Sequence, residues 1–455
     1  MALLDIETII VVIMENRSFD HMLGWLSIEG IADVEGLKAD PAWQSSFAND
    51  YSDTKYPIFR IDPTSEPCSD PQHDRQSIAL QISKPPVGPG PLQMGGFVES
   101  FATLSDPKPT DPRAVMGYFS AESVPTFEFF ARNYCVCDHW FASLPLGTQA
   151  NRLMAMAGES QLLDNSGLFL PEQPLVYDWL NDHDIPWCAY QAGDFLPFFS
   201  LMASWLGEIT TSLTLNQLAG GGHFRRFAKF GEDWNGSAQM PSVIFIEPEY
   251  TDGPHVDPND DHAPTGVQPG QTFLAGLYQT LVGNQERWAK TLLVVTYDEH
   301  GGFFDHVPPL AISTTISGIT LPTTGVRVPA FLITPYVQTG SVFIGNLDHT
   351  SILQLLDDRF LTGQGYSIAV NARQTHLNRI LNALNNPQRS GPAPQIAVTQ
   401  TTPAYAPLAI PTAPNTANAH AFQAAAKKIA TNHPEMLKQP GWENVNSYLA
   451  TTGSS

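Results

Sequence analysis

Cysteine is scarce in this chain. Only four cysteines occur in 455 residues, and two of them, Cys135 and Cys137, lie close together. Four cysteines are too few for a disulfide-stabilised scaffold of this length, and they do not identify the redox compartment. Cys135 and Cys137 could hold a metal, but no second cysteine pair completes such a site. We therefore expect both to be buried structural residues.

Basic residues are also few. The chain has 23 Lys and Arg residues against 45 Asp and Glu residues, which gives a formal net charge of −22 at pH 7. This charge opposes long-range attraction to nucleic acid or to an anionic membrane surface. We therefore expect no nucleic-acid partner and at most transient contact with a membrane surface. Any phosphate in a substrate must be bound locally, by a cation and a few His or Arg side chains.

Long apolar runs are missing. No run of about 18 apolar residues occurs, and the apolar start of the chain is too short and lacks the basic flank of a signal peptide. We expect neither a transmembrane segment nor a signal peptide in this chain, and the location stays open because removal of a leader would leave the same sequence. With 42% hydrophobic and 15% charged residues, the chain is expected to be a folded globular protein with a sizeable core.

Two apolar runs are each followed at once by polar residues. One leads into Glu15 and Asn16, and the other, residues 291–297, leads into Asp298 and Glu299. A β-branched run without interruption predicts a buried strand, and open α/β sheets carry their active sites at the carboxyl ends of such strands. Carboxylates, imidazoles and an amide together suit a divalent cation with oxygen and nitrogen ligands. The alternative is that the acids only cap the next helices. The presence of two such segments argues against this alternative more strongly than one segment would.

Apolar stretches alternate with helical patterns along the chain. Strands are predicted at residues 9–14, 186–190, 242–247, 291–297 and 329–334, and helices at residues 271–282 and 351–361. This alternation predicts an α/β fold with a largely parallel central sheet flanked by helices. Residues 84–91, rich in Pro and Gly, predict an irregular loop near the site.

The composition changes near residue 386. Residues 1–385 are predicted to form one catalytic domain, and residues 386–455 a Pro-rich extended arm and a short helix that packs on it. Within this tail the arm spans residues 386–414, and the helix is predicted at residues 419–431.

A third segment predicts a helix start. Pro145 and Gly147 favour a tight turn, and the Leu, Met and Ala residues after Arg152 favour a helix, so we expect Thr148 at or just before the helix N-terminus. Free N–H groups there stabilise an anion, and a nearby cation would lower the pKa of the hydroxyl, which makes Thr148 a candidate nucleophile. The alternative is a plain N-cap threonine.

These segments resemble, in their order along the chain, the phosphoesterase family, which contains bacterial phospholipases C, plant non-specific phospholipases C and a group of acid phosphatases. The resemblance covers about residues 8–365 and rests on residues 15–21 (ENRSFDH), 145–152 (PLGTQANR), 259–262 (NDDH) and 297–306 (YDEHGGFFDH). It implies an alkaline-phosphatase-like α/β fold and a Thr or Ser nucleophile that is transiently phosphorylated beside a divalent metal, whose identity as Ca, Zn or Mg stays open.

The resemblance also implies roles for single residues. The metal shell and the nucleophile fall on Asn16, Thr148, Asp298 and Glu299, with Glu15 beside them. Histidines that contact the phosphoryl group or protonate the leaving oxygen fall on His73 and His262. His349 could also reach the site, with an ordinary helix-start histidine as the alternative. Residues that support these ligands, or hold a second metal, are Asp20, His21, Asp305 and His306.

The resemblance implies hydrolysis of a phospholipid or a small phosphate ester. We favour phospholipase C over acid phosphatase acting on phosphomonoesters, and an inactive binding protein on the same fold is the alternative from another class. Retention of the acids, the amide, Thr148 and both histidines argues against the last. A phospholipase C needs an apolar mouth for its diacylglycerol leaving group. Candidates for this mouth, or else for core packing, are Phe195, Phe198, Phe199, Leu201, Met202 and Trp205.

Overall fold

The computed structural model describes residues 2–63, 65, 68–83, 94–105, 107–218, 220–253, 258–384, 386–396 and 415–452. The loop predicted at residues 84–91 and residues 397–414 of the predicted arm lie outside the described residues. The strands are β1 Thr8–Met14, β2 Asn49–Tyr51, β3 Thr54–Tyr56, β4 Phe59–Arg60, β5 Gly117–Tyr118, β6 Cys135–Cys137, β7 Trp140–Phe141, β8 Trp187–Gln191, β9 Phe224–Arg226, β10 Val243–Glu247, β11 Thr291–Tyr297, β12 Thr314–Ile316, β13 Ile319–Leu321, β14 Ala330–Ile333, β15 Ser341–Phe343 and β16 Leu347–Asp348.

Helices surround these strands. They are α1 Ala2–Asp5, α2 Phe19–Leu23, α3 Trp25–Ile28, α4 Pro41–Ser46, α5 Arg75–Ser83, α6 Phe97–Ala102, α7 Pro125–Asn133, α8 Thr148–Ala157, α9 Val176–Asp182, α10 Ala203–Leu215, α11 Phe230–Asn235, α12 Gln268–Gly283, α13 Gln285–Trp288, α14 Thr350–Phe360, α15 Ile368–Gln374, α16 Ala417–Asn432 and α17 Glu443–Thr452. Short 3-10 helices lie at Pro112–Met116, Phe198–Leu201, Phe227–Lys229, Ile380–Ala383 and Met436–Lys438.

One large sheet organises the fold. Its eight strands follow the order β15-β6-β14-β11-β1-β10-β8-β9. Seven of them run in one direction, and β14 alone runs against its neighbours β11 and β6. The protein is therefore an α/β protein with a largely parallel sheet, as the alternation of strand and helix patterns predicts.

The two central strands explain where the polar segments meet. β1 and β11 are parallel neighbours in register from Thr8 opposite Thr291 to Met14 opposite Tyr297. β11 is buried throughout, and β1 is buried from its second residue on, which agrees with their uninterrupted β-branched sequences. Because both strands end at the same edge, the residues after Met14 and Tyr297 emerge side by side.

The C-terminal part returns to this body. α16 begins two residues before its predicted start, and it packs on α10 and on the 3-10 helix Phe198–Leu201. The division of the chain into a catalytic domain and an arm stays a prediction. The four cysteines are free, and Cys135 and Cys137 are buried in β6 as expected. Among the described residues, no helix combines the length and the apolar character needed to cross a bilayer.

Candidate active site

An amide and two carboxylates meet at the ends of β1 and β11. The backbone N–H of Asn16 donates to Asp298 Oδ1 at 3.1 Å, and the N–H of Glu299 donates to the same oxygen at 2.7 Å. Asn16 has a φ of 63°, a left-handed conformation that asparagine adopts more readily than most residues. The turn after β1 thereby directs the Asn16 side chain toward the acids that follow β11.

The side chain of Asn16 has two possible orientations. One end of its amide lies 2.9 Å from Glu299 Oε1 and 3.2 Å from Asp298 Oδ1, and the other end lies 2.8 Å from His262 Nε2. With the nitrogen toward the acids, the amide donates to both carboxylates. With the oxygen toward them, three oxygens face one another and a cation is the partner that such a group requires.

A second observation supports a cation at this point. Asp298 Oδ2 is buried without a hydrogen-bond partner. Burial raises the pKa of Asp298 to about 6, while Arg152 acts against this rise and Glu299 adds to it. Burial likewise raises the pKa of Glu15. Acids crowded in a low-dielectric site repel one another, and oxygen donors of this kind fit a divalent metal ion.

Thr148 is the first residue of α8 and is fully buried. Its hydroxyl lies 3.5 Å from the end of the Asn16 amide that faces the acids. The turn before it is held by Asn151, whose amide group accepts from the N–H of Leu144 and donates to the carbonyls of Leu144, Leu146 and Gly147. Gly147, at the N-cap position, has no side chain to cap the helix, so the plain N-cap alternative for Thr148 does not describe this helix start.

Arg152 connects α8 to the acids. One guanidinium nitrogen donates to Glu15 Oε1 at 3.1 Å, and Nε lies 3.6 Å from Asp298 Oδ2. The group also donates to the hydroxyl of Tyr250 at 3.2 Å and lies 5.3 Å from the centre of the Phe198 ring. Arg152 is thus the buried cation that partly neutralises the acids.

His262 and His73 lie on another side of the acids. Their rings are 5.7 Å apart. His262 Nε2 is 3.3 Å from Asp70 Oδ1, and its Nδ1 is 3.3 Å from Glu15 Oε2. Burial lowers the pKa of His262, but Asp70 and Glu15 outweigh it, so the pKa is raised well above its usual range. His73 Nδ1 contacts the Pro71 carbonyl at 2.8 Å.

Both ring nitrogens of His349 are engaged. Nε2 lies 2.6 Å from the backbone carbonyl of Asp298, and Nδ1 accepts a hydrogen bond from the indole N–H of Trp140 at 3.2 Å. Burial lowers the pKa of His349 to about 4. Since Trp140 must donate, Nε2 carries the proton given to the Asp298 carbonyl. His349 thus stands at the start of α14, as in the helix-start alternative, and it also reaches the site through the backbone of Asp298.

Three of the four predicted supporting residues, Asp20, Asp305 and His306, form a separate buried ion cluster with Arg327. Arg327 pairs with Asp20 at 3.2 Å and with Asp305 at 3.0 Å, and His306 Nδ1 lies 2.6 Å from Asp20. His21 Nδ1 lies 2.7 Å from the carbonyl of Gly117. Arg327 already supplies a positive charge between the two carboxylates, so this arrangement favours a supporting role over a second metal.

The loop after Glu299 requires glycine. Gly301 has a φ of 62°, and a Cβ at this position would lie 2.1 Å from the backbone oxygen of Asn16. A side chain there would therefore push apart the segments that follow β1 and β11.

The expected apolar mouth is buried. All six of its residues have at most 8% of their surface exposed: Phe195 2%, Phe198 1%, Phe199 2%, Leu201 0%, Met202 0% and Trp205 8%. Phe422 of α16 packs on the rings of Phe195 and Phe198 at 5.6 and 6.4 Å. The expectation of a mouth at this segment is wrong, and the alternative of core packing is confirmed.

Sequence reasoning assigns no role to Arg152, Asp70 or Asp252, although all three lie in this site. The apolar helical run after Arg152 is the signal that could have identified it. A charged residue at the start of a buried helix needs a charged partner, so this run indicates that Arg152 is paired. Asp252 lies 4.0 Å from His262, and nothing in its local sequence indicates that contact.

The chain belongs to the Phosphoesterase family, whose pattern it matches over residues 6–362. Among curated relatives, non-specific phospholipase C4 of Arabidopsis thaliana is 30% identical over 367 residues, which cover 75% of this chain and 64% of the relative. Non-specific phospholipase C1 of the same plant is 32% identical over 352 residues, which cover 74% and 62%. This chain thus spans slightly less than two thirds of the length of these relatives.

Solved structures show a fainter likeness. A protein of the alkaline phosphatase superfamily from Vibrio parahaemolyticus matches with a TM-score of 0.33 and 12% identity, over 57% of this chain and 64% of that one. A TM-score this low carries no inference about the site.

Proposed function

We propose that this protein hydrolyses phosphate esters with Thr148 as the nucleophile. The observation that supports this most is the position of the Thr148 hydroxyl, at the start of a helix and 3.5 Å from the Asn16 amide that faces two buried acids. The free backbone N–H groups at the start of a helix stabilise the oxygens of a phosphoryl group. Membership of the Phosphoesterase family agrees with this chemistry.

The proposed reaction also needs a divalent metal ion, which can be Ca, Zn or Mg. Its ligands would be Asn16, Asp298, Glu299 and the Thr148 hydroxyl, with Glu15 beside them. A bound divalent ion lowers the pKa of a hydroxyl and offsets the negative charge of phosphoryl oxygens. Asp298 Oδ2 is buried without a hydrogen-bond partner, and a metal ion would supply one.

Different side chains serve the attack on phosphorus and the departure of the alcohol. The Thr148 hydroxyl loses its proton to solvent, and Oγ1 attacks phosphorus to form a phospho-threonine while the bond to the leaving alcohol breaks. His262, with His73 beside it, gives a proton to the leaving oxygen. Water then hydrolyses the phospho-threonine and regenerates the hydroxyl. His349 holds the Asp298 backbone and takes no part in the proton transfer.

For the substrate we propose a glycerophospholipid and a phospholipase C reaction. Support comes from relatives about 30% identical that carry the name phospholipase C. An acid phosphatase acting on phosphomonoesters is the second candidate, because the segment expected to admit a diacylglycerol group is buried. An inactive binding protein is the remaining alternative. The presence of the acids, the amide, Thr148 and both histidines argues against it.

A direct comparison of substrates tests this proposal. Metal-replete protein is incubated with phosphatidylcholine vesicles and, separately, with p-nitrophenyl phosphate, and diacylglycerol and p-nitrophenolate are measured. We expect diacylglycerol release to dominate. Faster release of p-nitrophenolate alone would favour the phosphatase, and absence of both products would leave a binding protein. Thr148→Ala serves as the inactive control for contaminating activity.

A further inference from the structure

The C-terminal helix α16 begins beside the active site. Thr416 is its N-cap residue, and the Thr416 hydroxyl oxygen accepts a hydrogen bond from the N–H of Ala419 at 3.0 Å. The same hydroxyl donates its proton to Asp252 Oδ1 at 2.7 Å. One oxygen of the buried Asp252 carboxylate is therefore fixed by a residue that follows it by 164 positions in the chain.

The other oxygen of Asp252 faces His262. Asp252 Oδ2 is buried and has no hydrogen-bond partner, and His262 Nδ1 is likewise buried without a well-aligned partner. These two atoms lie 4.0 Å apart. An approach of about 1 Å would bring them to hydrogen-bond distance. An imidazole whose Nδ1–H is held by a carboxylate presents Nε2 in one fixed direction.

Three other carboxylates, those of Glu15, Asp70 and Asp260, surround His262. Glu15 Oε2 is nearer to Nδ1, at 3.3 Å, while the other oxygen of Glu15, Oε1, is paired with Arg152. Both oxygens of Asp260 accept hydrogen bonds from Thr251. Asp70 lies on the Nε2 side of the ring. Asp252 Oδ2 is thus a second buried acceptor on the Nδ1 side of the ring, beside Glu15 Oε2, and it has no hydrogen-bond partner of its own.

Two further contacts anchor the start of α16. The side chain of Gln149, the residue after Thr148, donates to Asn418 Oδ1 at 3.0 Å. The ring of Phe422 lies 5.8 Å from that of Tyr250, whose hydroxyl accepts a hydrogen bond from Arg152. The position of Thr416 is therefore set by a helix that touches several parts of the site.

We propose that Asp252 is a positioning residue that orients His262, and that Thr416 of α16 fixes Asp252 for this task. The inference rests on the proposed function, in which His262 protonates the leaving oxygen. It assigns the C-terminal helix a part in the proton transfer, beyond covering apolar side chains.

The test compares substrates that need a proton donor with substrates that do not. We expect Asp252→Asn to lower kcat about 10- to 100-fold for an alkyl phosphate ester, as loss of a supporting partner does in other sites. With p-nitrophenyl phosphate, whose leaving group needs little protonation, kcat should change less than about 3-fold. Thr416→Val should act in the same direction, and Thr416→Ser, which keeps the hydroxyl, should restore activity.

The controls separate positioning from stability. Ser367 is the N-cap residue of α15 and accepts from the N–H of Val370, so Ser367→Ala removes a helix cap away from His262 and should leave the ratio of the two kcat values unchanged. Thermal unfolding of each variant identifies any that misfolds. Equal losses on both substrates in a folded Asp252→Asn variant, or no loss on either, would overturn the inference.

A spectroscopic reading keeps the inference separate from the proposed function. Histidine-selective 15N NMR reports the ring of His262 whether or not any ester is hydrolysed. We expect its Nδ1 resonance to move in Asp252→Asn and Thr416→Val and to stay in place in Thr416→Ser. An Nδ1 resonance that does not move in Asp252→Asn refutes the inference even if the enzyme is active. A wild-type protein that hydrolyses neither ester refutes the proposed function instead, and the NMR result still decides the contact.

Discussion

Arg152 is the residue on which the charge balance of the site depends. It pairs with Glu15 and lies 3.6 Å from Asp298, and all three side chains are buried. Removing one partner of a buried pair leaves an uncompensated charge, which typically costs about 3–5 kcal/mol. We therefore expect Arg152→Met to lower the free energy of unfolding by about that amount, measured by urea denaturation at neutral pH. A loss below about 1 kcal/mol, the value of a surface ion pair, would show that Arg152 is dispensable.

Asp261 gives the protein a pH-dependent stability. Burial raises its pKa to about 8, the Tyr297 hydroxyl and Arg17 act against this rise, and Asp260 adds to it. The folded state therefore holds a proton that the unfolded chain, with an ordinary pKa of 3.8, has lost. This contribution to stability is complete below the pKa that Asp261 has in the unfolded state. It is lost as the pH rises toward and through the pKa in the folded state, by up to about 1.4 kcal/mol per pH unit.

Asp261→Asn removes that titration. Between pH 5 and the folded pKa of about 8, its free energy of unfolding should fall less steeply than that of the wild type. Denaturant unfolding at a series of pH values in one buffer system measures both slopes. Parallel curves for the two proteins would mean that Asp261 is ionised in the folded state.

Residues that directly follow buried strands could be predicted from the sequence. Asn16, Asp298 and Glu299 each lie within two residues of the end of β1 or β11, so an apolar run locates them. Arg152 and Asp252 act through partners far along the chain, and such pairs leave no periodic signal. The contact of Thr416 with Asp252 joins residues 164 positions apart, and only the folded chain reveals it.

At the scale of elements, strand length decided what could be predicted. The seven-residue strands β1 and β11 have continuous β-branched sequences, and both were predictable almost to the residue. The strands β6, β9 and β15 have three residues each, too few for a pattern. The antiparallel direction of β14 was also hidden, because its buried sequence is the same whichever way it runs.

The docking of α16 can be tested through Phe422. This ring is 1% exposed and packs on Phe195, Phe198 and Tyr250. Truncation to alanine leaves a cavity, so Phe422→Ala should lower the free energy of unfolding by about 3–5 kcal/mol. It should also lower turnover, since α16 carries Thr416. Urea denaturation and turnover measure the two effects.

Leu168→Ala is the matched control. Leu168 is 70% exposed, and surface substitutions usually change stability by less than about 0.5 kcal/mol. If Phe422→Ala behaves like Leu168→Ala, then α16 does not contribute to the stability of the folded body.

At the scale of the whole molecule, the net charge of −22 does not indicate which charges are buried in the site. Arg17, Arg152 and Arg327 are all buried, with at most 3% of their surface exposed. The few basic residues of the chain are thus partly concentrated inside, next to acids. The overall negative charge opposes long-range attraction to nucleic acid, but composition cannot reveal this internal arrangement, because burial depends on the fold.

A metal that binds only the folded chain should raise its stability. At a free concentration of about 100 times Kd, binding contributes about 2.7 kcal/mol. We expect a chelator to lower the melting temperature and to abolish turnover. Asp298→Asn should contain less metal by elemental analysis, and its melting temperature should respond less to the chelator. Full metal content and retained turnover in Asp298→Asn would contradict the proposed ligand set.

The central claim is that Thr148 carries the phosphoryl group during the reaction. The most direct measurement is rapid acid quench of the enzyme during turnover, followed by peptide mass spectrometry. We predict a phosphoryl modification on the peptide that begins α8, located on Thr148, and its absence in Thr148→Ala. An active enzyme with no modified peptide, or with the modification on another residue, would contradict the account.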